Sequence, residues 1–476
     1  MTGRSCARTA GRYAPSMQHT RREALAAIGG LAAAPLAATA AARASDAHAA
    51  PAHAPAHAAH AAHAAHAPAT AAAPVQADDT DLPVSGRVLP GLEALDKAVL
   101  PLMEAHSIPG AQVAIAVGGR LVAARGYGMA DVQARTPMRP QTHMVLASVS
   151  KVVTAQTVLK LVAEGRLNLS DRVFNWFREP PPPGMREDPR INEITVQMCL
   201  QHTGGWNRKV SGDPSGWSPR IRRALRLERP PTPLEMIRYM KGVRLDFAPG
   251  TQQAYSNFGF VLLGAVVAAV GQQEYPEFVQ ANTLRPMGIT DMRVDDPPPN
   301  YLPGEARRYM LPSEHPVPGG NNRMVMAAGG WSANCVDMAK LLTAIDGSRT
   351  GTPWLPPQLM QAMVTPAPGI PPAGGQDGAP EHWMGLGWDQ VEKFPPAAPG
   401  GEARYSWGKD GGLAGIQTWI QHLGDGVNFV LMFNSSAQHG GAVPGGLGLI
   451  RPKVIEFIRS VQSWPQGDLF ADLAGS

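Results

Sequence analysis

The segment Leu146-Ala147-Ser148-Val149-Ser150-Lys151 sets a hydroxyl and an amine three residues apart at the start of a helical pattern. On a helix, residues three apart share a face, with Cβ atoms about 5–6 Å apart. A lysine amine held there can take the serine proton if partial burial and nearby positive charge keep it neutral. Ser148 would then be a nucleophile with its own base. The pair alone is a weak sign, because a chain of 476 residues contains on the order of one Ser-x-x-Lys by chance.

Two later segments supply what the pair lacks. Tyr255-Ser256-Asn257 follows Phe247-Ala248-Pro249-Gly250 and precedes the apolar run 258–269. A tyrosine near a lysine can share protons with the nucleophile and later protonate the leaving group. An asparagine amide offers a donor and an acceptor to a substrate amide or ester. Lys409-Asp410-Gly411-Gly412 stands just before the apolar run 416–423. A lysine there adds positive field, and the glycines let backbone N–H groups approach a bound carbonyl. The plainer alternatives are a turn before a helix and a polar hairpin turn.

The elements that must carry these residues are legible in outline. Leu92–His106 has Leu92, Leu95, Val99 and Met103 on one side, a helical spacing. Gln112–Val117 and Leu121–Tyr127 read as strands joined at Gly118-Gly119. Ser148–Glu164 reads as a helix closed by Gly165. Ile416–Leu423 and Val427–Phe433 form a second hairpin turning at Gly424-Asp425-Gly426, and Ile450–Val461 reads as a closing helix. Strands at both ends with helical patterns between them predict an α+β unit: one sheet, helices beside it, and a mainly helical lobe. The stretches 179–190 and 365–381 read as surface loops. Segment 205–235 reads as irregular and as a border of the site. Cys199 and Cys335, each within an apolar stretch, read as buried free thiols and not as a disulfide.

The chain divides by composition into four parts. Residues 1–44 read as a twin-arginine export signal: a basic leader ending in Arg21-Arg22, an Ala-rich stretch over 24–42, and a small-x-small site at Ala42-Arg43-Ala44. Residues 45–85 are rich in Ala, His and Pro, including His48, His53, His57, His60, His63 and His66. Metal capture and a low-complexity tether are both compatible with that tract. The tether is favoured, because the ligands have no fixed scaffold. Residues 86–465 form the catalytic unit and 466–476 a C-terminal tail. The whole chain has 42 basic and 38 acidic residues; without the six arginines and one glutamate of the leader it has 36 against 37. The basic pI therefore belongs to the leader and leaves no footprint for nucleic acid. No later segment has 18 uninterrupted apolar residues, so no membrane span is expected after cleavage. The mature protein is expected to be periplasmic or secreted.

The three segments, in this order, resemble the motifs of class C beta-lactamases and their relatives, among them D,D-carboxypeptidases, D-aminopeptidases and family VIII esterases. Ser148 precedes Tyr255 by 107 residues, and Tyr255 precedes Lys409 by 154. Further landmarks agree: His202-Thr203-Gly204-Gly205, Pro249-Gly250, Leu284-Arg285-Pro286-Met287-Gly288 and Ala328-Gly329-Gly330. The resemblance covers roughly residues 90–460. It implies a beta-lactamase/transpeptidase-like fold, with an antiparallel sheet flanked by helices. It further implies that Ser148 is acylated, that Lys151 and Tyr255 exchange its proton, and that Asn257 holds the acyl-side amide or ester. Lys409 would support the tyrosine, and the N–H groups of Ser148 and Gly412 would form the oxyanion hole. The implied reaction needs no metal or organic cofactor.

One departure stands out. Beta-lactamases usually carry Thr or Ser where this chain has Asp410. A carboxylate about 4 Å from an anionic substrate, at an effective dielectric of about 20, would cost about 4 kcal/mol. Poor beta-lactam turnover relative to ester or amide hydrolysis is therefore expected. The primary expectation is an exported serine hydrolase of small-molecule esters, amides or peptides. The alternatives are a class C-like beta-lactamase or D,D-carboxypeptidase, and a non-catalytic relative that binds cell-wall fragments.

Overall fold

A computed structural model describes residues 82–294, 301–313, 315–318, 323–375, 380–394, 403–437 and 446–473. The expected export signal and nearly all of the His-rich tract lie outside these residues.

The framework is a ten-stranded antiparallel sheet. In chain order its strands are β1 (Val84–Val88), β2 (Gly110–Val117), β3 (Arg120–Asp131), β4 (Thr136–Pro137), β5 (Ala373–Gly374), β6 (Glu381–Trp383), β7 (Gln390–Phe394), β8 (Arg404–Leu413), β9 (Ile416–His422) and β10 (Val427–Phe433). Across the sheet they run β1-β3-β2-β10-β9-β8-β7-β6-β5, with β4 paired to β3. The expected hairpins are β2–β3 and β9–β10. At the first turn, Gly118 and Gly119 both take positive φ, +55° and +79°, the geometry that suits a two-residue hairpin turn. Pairing of β10 with β2, from Val427↔Val117 to Phe433↔Ala111, joins the hairpins from opposite ends of the chain.

The helices used below are α1 (Ala94–Ala105), α2 (Ser150–Ala163), α3 (Val196–Leu200), α4 (Ser218–Leu225), α5 (Pro233–Met240), α6 (Asn257–Gly271), α7 (Cys335–Ile345) and α8 (Gly446–Ser460). Side chains alternate across each strand, and both faces of the sheet are covered. On β10, Phe429, Leu431 and Phe433 join the core built with α1 and α8. Val430 and Met432 join the larger core that contains α2, α6 and α7. The site lies on this second side. Among the described residues no single helix is long and apolar enough to cross a membrane.

Three boundaries differ from expectation. The predicted helix at Ser148 begins with a 3₁₀ turn, Ala147–Val149, and becomes α-helical only at Ser150. Ala147 has φ +48°, and a left-handed residue cannot extend a right-handed helix backwards. The closing helix starts at Gly446, four residues before Ile450. Gly446-Leu447-Gly448 has poor helix propensity, but Gly446 is buried close against the Phe433 ring. Segment 205–235 is not wholly irregular: it holds a 3₁₀ turn (Pro214–Gly216), α4 and the start of α5. In α4 only Ile221 is fully buried; Ile221, Ala224 and Leu225 do hold a helical spacing, but over eight residues, too short a run to mark a helix.

The described fold also reaches beyond the expected limits of the catalytic unit. β1 starts at Val84. After residue 465, Leu469 and Phe470 are buried. The Leu469 N–H donates to Leu121 O at 2.8 Å, and the Leu121 N–H donates to Asp468 Oδ1 at 3.0 Å. Cys199 and Cys335 are free and buried, and burial pushes both thiols well above their ordinary pKa.

Candidate active site

The turn carrying Ser148 is pinned on three sides. The Leu146 N–H donates to Trp331 O at 2.7 Å, Thr418 Oγ1 donates to Leu146 O at 2.8 Å, and the Trp331 N–H donates to Ser150 Oγ at 3.1 Å. Lys151, the second residue of α2, is fully buried. Its Nζ lies 3.2 Å from Ser148 Oγ, 2.7 Å from Asn257 Oδ1 and 2.6 Å from Ala328 O. Three acceptors match the three N–H bonds of an ammonium. Burial, with the charge of Lys409 added, nevertheless depresses the Lys151 pKa below its ordinary value.

Tyr255 precedes α6, and its Oη lies 2.7 Å from Ser148 Oγ. Its ring is surrounded by positive charge. Lys151 Nζ is 5.0 Å, Lys409 Nζ 4.8 Å and the Arg208 guanidinium carbon 4.5 Å from the ring centroid. Burial alone would raise the phenol pKa, but the charges of Lys151 and Lys409 win and hold it below its ordinary value. The hydroxyl, amine and phenol, from distant stretches of chain, therefore meet in one pocket. Each group can exchange a proton with its neighbour within hydrogen-bond distance.

Lys409 reaches this pocket from β8. Its ammonium is fully buried and bonds to Asp389 Oδ2. Burial would strip its proton, but the Asp389 charge prevails and raises its pKa. The same ion pair holds the Asp389 carboxyl well below the carboxylate range, against the effect of burial.

The remaining expected residues are placed as follows. Asn257, the first residue of α6, is engaged at both ends: Oδ1 accepts from Lys151, and Nδ2 donates to Asp213 Oδ2 at 2.6 Å. Its second N–H is what remains for a substrate. Gly412 lies one residue past the point where β8 meets the nucleophile turn. A Cβ added at Gly411 would sit 3.1 Å from Ser148 N and 2.3 Å from Leu146 O, whereas one at Gly412 meets nothing within 4 Å. β7 pairs with Arg404–Gly408 only. Among the described residues no strand covers the outer edge of Lys409–Leu413, so an extended acyl chain can approach there.

The beta-lactamase family model matches residues 95–444. The chain belongs to the beta-lactamase family. Esterase EstB of Burkholderia gladioli, a relative, is 27% identical over 374 residues, 72% of this chain and 90% of that protein. Protein flp of Staphylococcus aureus (strain COL) is 30% identical over 189 residues, 40% of this chain; the match spans only 35% of that relative's length. Among solved structures, D-amino acid amidase from Ochrobactrum anthropi SV3 superposes with a TM-score of 0.60 at 20% identity, over 78% of this chain and all of that one. This likeness is one of fold: a beta-lactamase/transpeptidase-like antiparallel sheet with flanking helices.

One expectation for this family member is corrected by strand alternation. Asp410 pairs across the sheet with Trp419, and Lys409 pairs with Ile420. Trp419 belongs to the core under α1 and α8, and Ile420 to the core on the site side. Asp410 therefore faces away from the Lys409 side. It is exposed and acts electrostatically on Arg451 of α8, which stacks on Trp419 at 3.7 Å. The repulsion expected from Asp410 against an anionic substrate loses its geometric basis.

Sequence reasoning missed four residues at the site. Asp213 and Arg208 lie in the segment read as irregular and as a border of the site, without either being singled out. Asp213 caps the Pro214–Gly216 turn, and Asp-Pro was the only local cue. His202 was noted as a landmark without a role; its ring stacks on Tyr255, centroids 4.6 Å apart. Asp389 follows Gly387-Trp388 with no recognisable motif.

Proposed function

We propose that this protein is a serine hydrolase that cleaves a small-molecule ester, amide or peptide through an acyl-enzyme on Ser148. The observation that carries this reading is the meeting of Ser148 Oγ with Tyr255 Oη at 2.7 Å and Lys151 Nζ at 3.2 Å. In the proposed reaction, ionised Tyr255 takes the Ser148 proton as Oγ attacks the carbonyl carbon. Lys151, its three N–H bonds all engaged, stays an ammonium and supports the phenolate. The Ser148 and Gly412 N–H groups hold the developing oxyanion. Tyr255 then returns the proton to the leaving group, and water releases the acyl group by the reverse sequence. Asn257 and Lys409 orient the substrate and stabilise charge. The similarity to an esterase and to a D-amino acid amidase supports ester or amide bonds as the target.

The test is labelling with a fluorophosphonate probe. Labelling should occur in the wild type and vanish in Ser148→Ala, while Ser148→Ala keeps the wild-type thermal midpoint. Equal labelling of both proteins would exclude Ser148 as the nucleophile. The non-catalytic alternative would be supported by no labelling of either. A second reading, a beta-lactamase or D,D-carboxypeptidase, is favoured by the position of Asp410 on the far face of β8, which turns its carboxylate away from the face that Lys409 presents to a substrate. Ser148-dependent labelling by a fluorescent penicillin supports that reading.

We also propose that residues 1–44 direct export through the twin-arginine route, placing the mature protein in the periplasm or outside the cell. The paired Arg21-Arg22 ahead of a weakly apolar stretch supports this.

A further inference from the structure

Asp389 stands in the loop before β7. Two contacts fix that loop. The Gly387 N–H donates to Leu200 O at 3.1 Å. Gly387, at φ +87°, lies so close to α2 that an added Cβ would fall 2.3 Å from Ala155 Cβ. The Asp389 side chain is only 13% exposed. One oxygen, Oδ2, bonds to the Lys409 ammonium. The other, Oδ1, lies 3.7 Å from His202 Nε2, and both of these atoms are buried with no hydrogen-bond partner among the described residues. His202 Nδ1 accepts from the Ser256 N–H at 3.1 Å, so the ring proton sits on Nε2, aimed at the carboxylate. Burial holds the imidazole neutral. Its ring lies stacked on Tyr255.

We propose that Asp389 is a positioning residue for this site: with one oxygen it holds the Lys409 ammonium over the Tyr255 ring, and with the other it faces the His202 imidazole stacked on that ring. The phenol is thereby kept over Ser148 beside a positive charge. The groups facing Tyr255 are Lys151 from α2, Lys409 from β8, Arg208 and His202 from the chain after α3, and Asp389 itself. Asp213 reaches it only through Asn257. Asp410, on the other face of β8, bears on Tyr255 only through its effect on Lys409. Among these, Asp389 is the group that bonds the Lys409 ammonium. A buried lysine without its counterion loses its proton more readily. Removing the Asp389 charge while keeping its shape should therefore let Lys409 turn neutral at a lower pH, and the phenolate lose its support there.

The inference rests on the hydrolase reading, and the experiment separates the two. In the mature protein, Lys409 is titrated by ¹³Cε-lysine NMR, with its signal assigned through Lys409→Arg. In parallel, kcat and KM for p-nitrophenyl butyrate are followed across the neutral to alkaline range. Asp389→Asn should lower the Lys409 titration by more than roughly one unit. The alkaline limb of kcat/KM should move down with it, kcat should fall about tenfold or more, and KM should hardly change. Asp389→Glu should restore both. His202→Asn, which keeps an acceptor for the Ser256 N–H but removes the stacked ring, should lower kcat without moving the thermal midpoint. It also keeps the proposal testable if Asp389→Asn does not fold. An unmoved Lys409, or an Asp389→Asn profile that superimposes on the wild type after scaling, would overturn the role of Asp389 alone. A wild type without Ser148-dependent turnover would overturn the hydrolase reading instead.

Discussion

At the scale of single residues, the decisive quantity is the charge around one phenol. Tyr255 is buried, which by itself favours the neutral form, yet the positive charges of Lys151 and Lys409 lower its pKa. If the phenolate is the base, activity is present above that pKa and lost as pH falls through it. Lys409→Met removes one stabilising charge and so raises the Tyr255 pKa. The acidic limb of the ester kcat/KM profile should then move up by about 1–2 units, as expected for a charge near 5 Å in a partly screened site. An acidic limb that stays in place would mean that a different group accepts the proton. Tyr255→Phe should lower kcat by roughly 10²–10⁴-fold. Ser148, Lys151 and Tyr255 were singled out in the sequence because three short segments, each weak alone, stand in one characteristic order. Asp389 and Asp213 were not. They touch the site through folding alone, and nothing in their neighbours' identities marks a carboxylate that will meet Lys409 or Asn257.

At the scale of elements, β8 and the turn before α2 form the site by close approach of backbone to backbone. Gly411 makes that approach possible. Its Cβ would fall 2.3 Å from both Leu146 O and Thr418 Oγ1, distances that real side chains do not tolerate. Gly411→Ala should therefore force β8 off the Ser148 turn. The expected result is loss of fluorophosphonate labelling together with a lower thermal midpoint, of the order of 1–3 kcal/mol of stability. Full labelling at an unchanged midpoint would show that the contact is not required. Both hairpins were readable because apolar strands flanked glycine turns. The helix Ser218–Leu225 was not, because its apolar spacing at Ile221, Ala224 and Leu225 spans barely two turns, too few to distinguish a helix from an irregular stretch.

At the scale of the whole molecule, the two ends of the chain do different work. Residues up to 473 continue the fold, through Leu469 and Phe470 in the core and an ion pair between Arg87 and Asp472 at 2.6 Å. The first 44 residues carry the net positive charge of the chain. If they are an export signal, replacing Arg21-Arg22 with two lysines should leave an uncleaved precursor in the cytoplasm. Fractionation with N-terminal sequencing of the mature form checks this. Equal export of the variant would rule out the twin-arginine route.

By itself the amino-acid sequence determined the α+β class, the two hairpins and the ordered motifs that mark a beta-lactamase relative. Alternating and helical apolar spacing, and short runs of reactive residues, are local properties of a chain. Only the tertiary structure decided which charges face one another. It turned Asp410 away from the pocket through the alternation of β8, engaged Asn257 at both ends, and brought Asp389 and His202 against Lys409 and Tyr255. Electrostatic influence depends on distance and burial, and neither exists until remote segments pack.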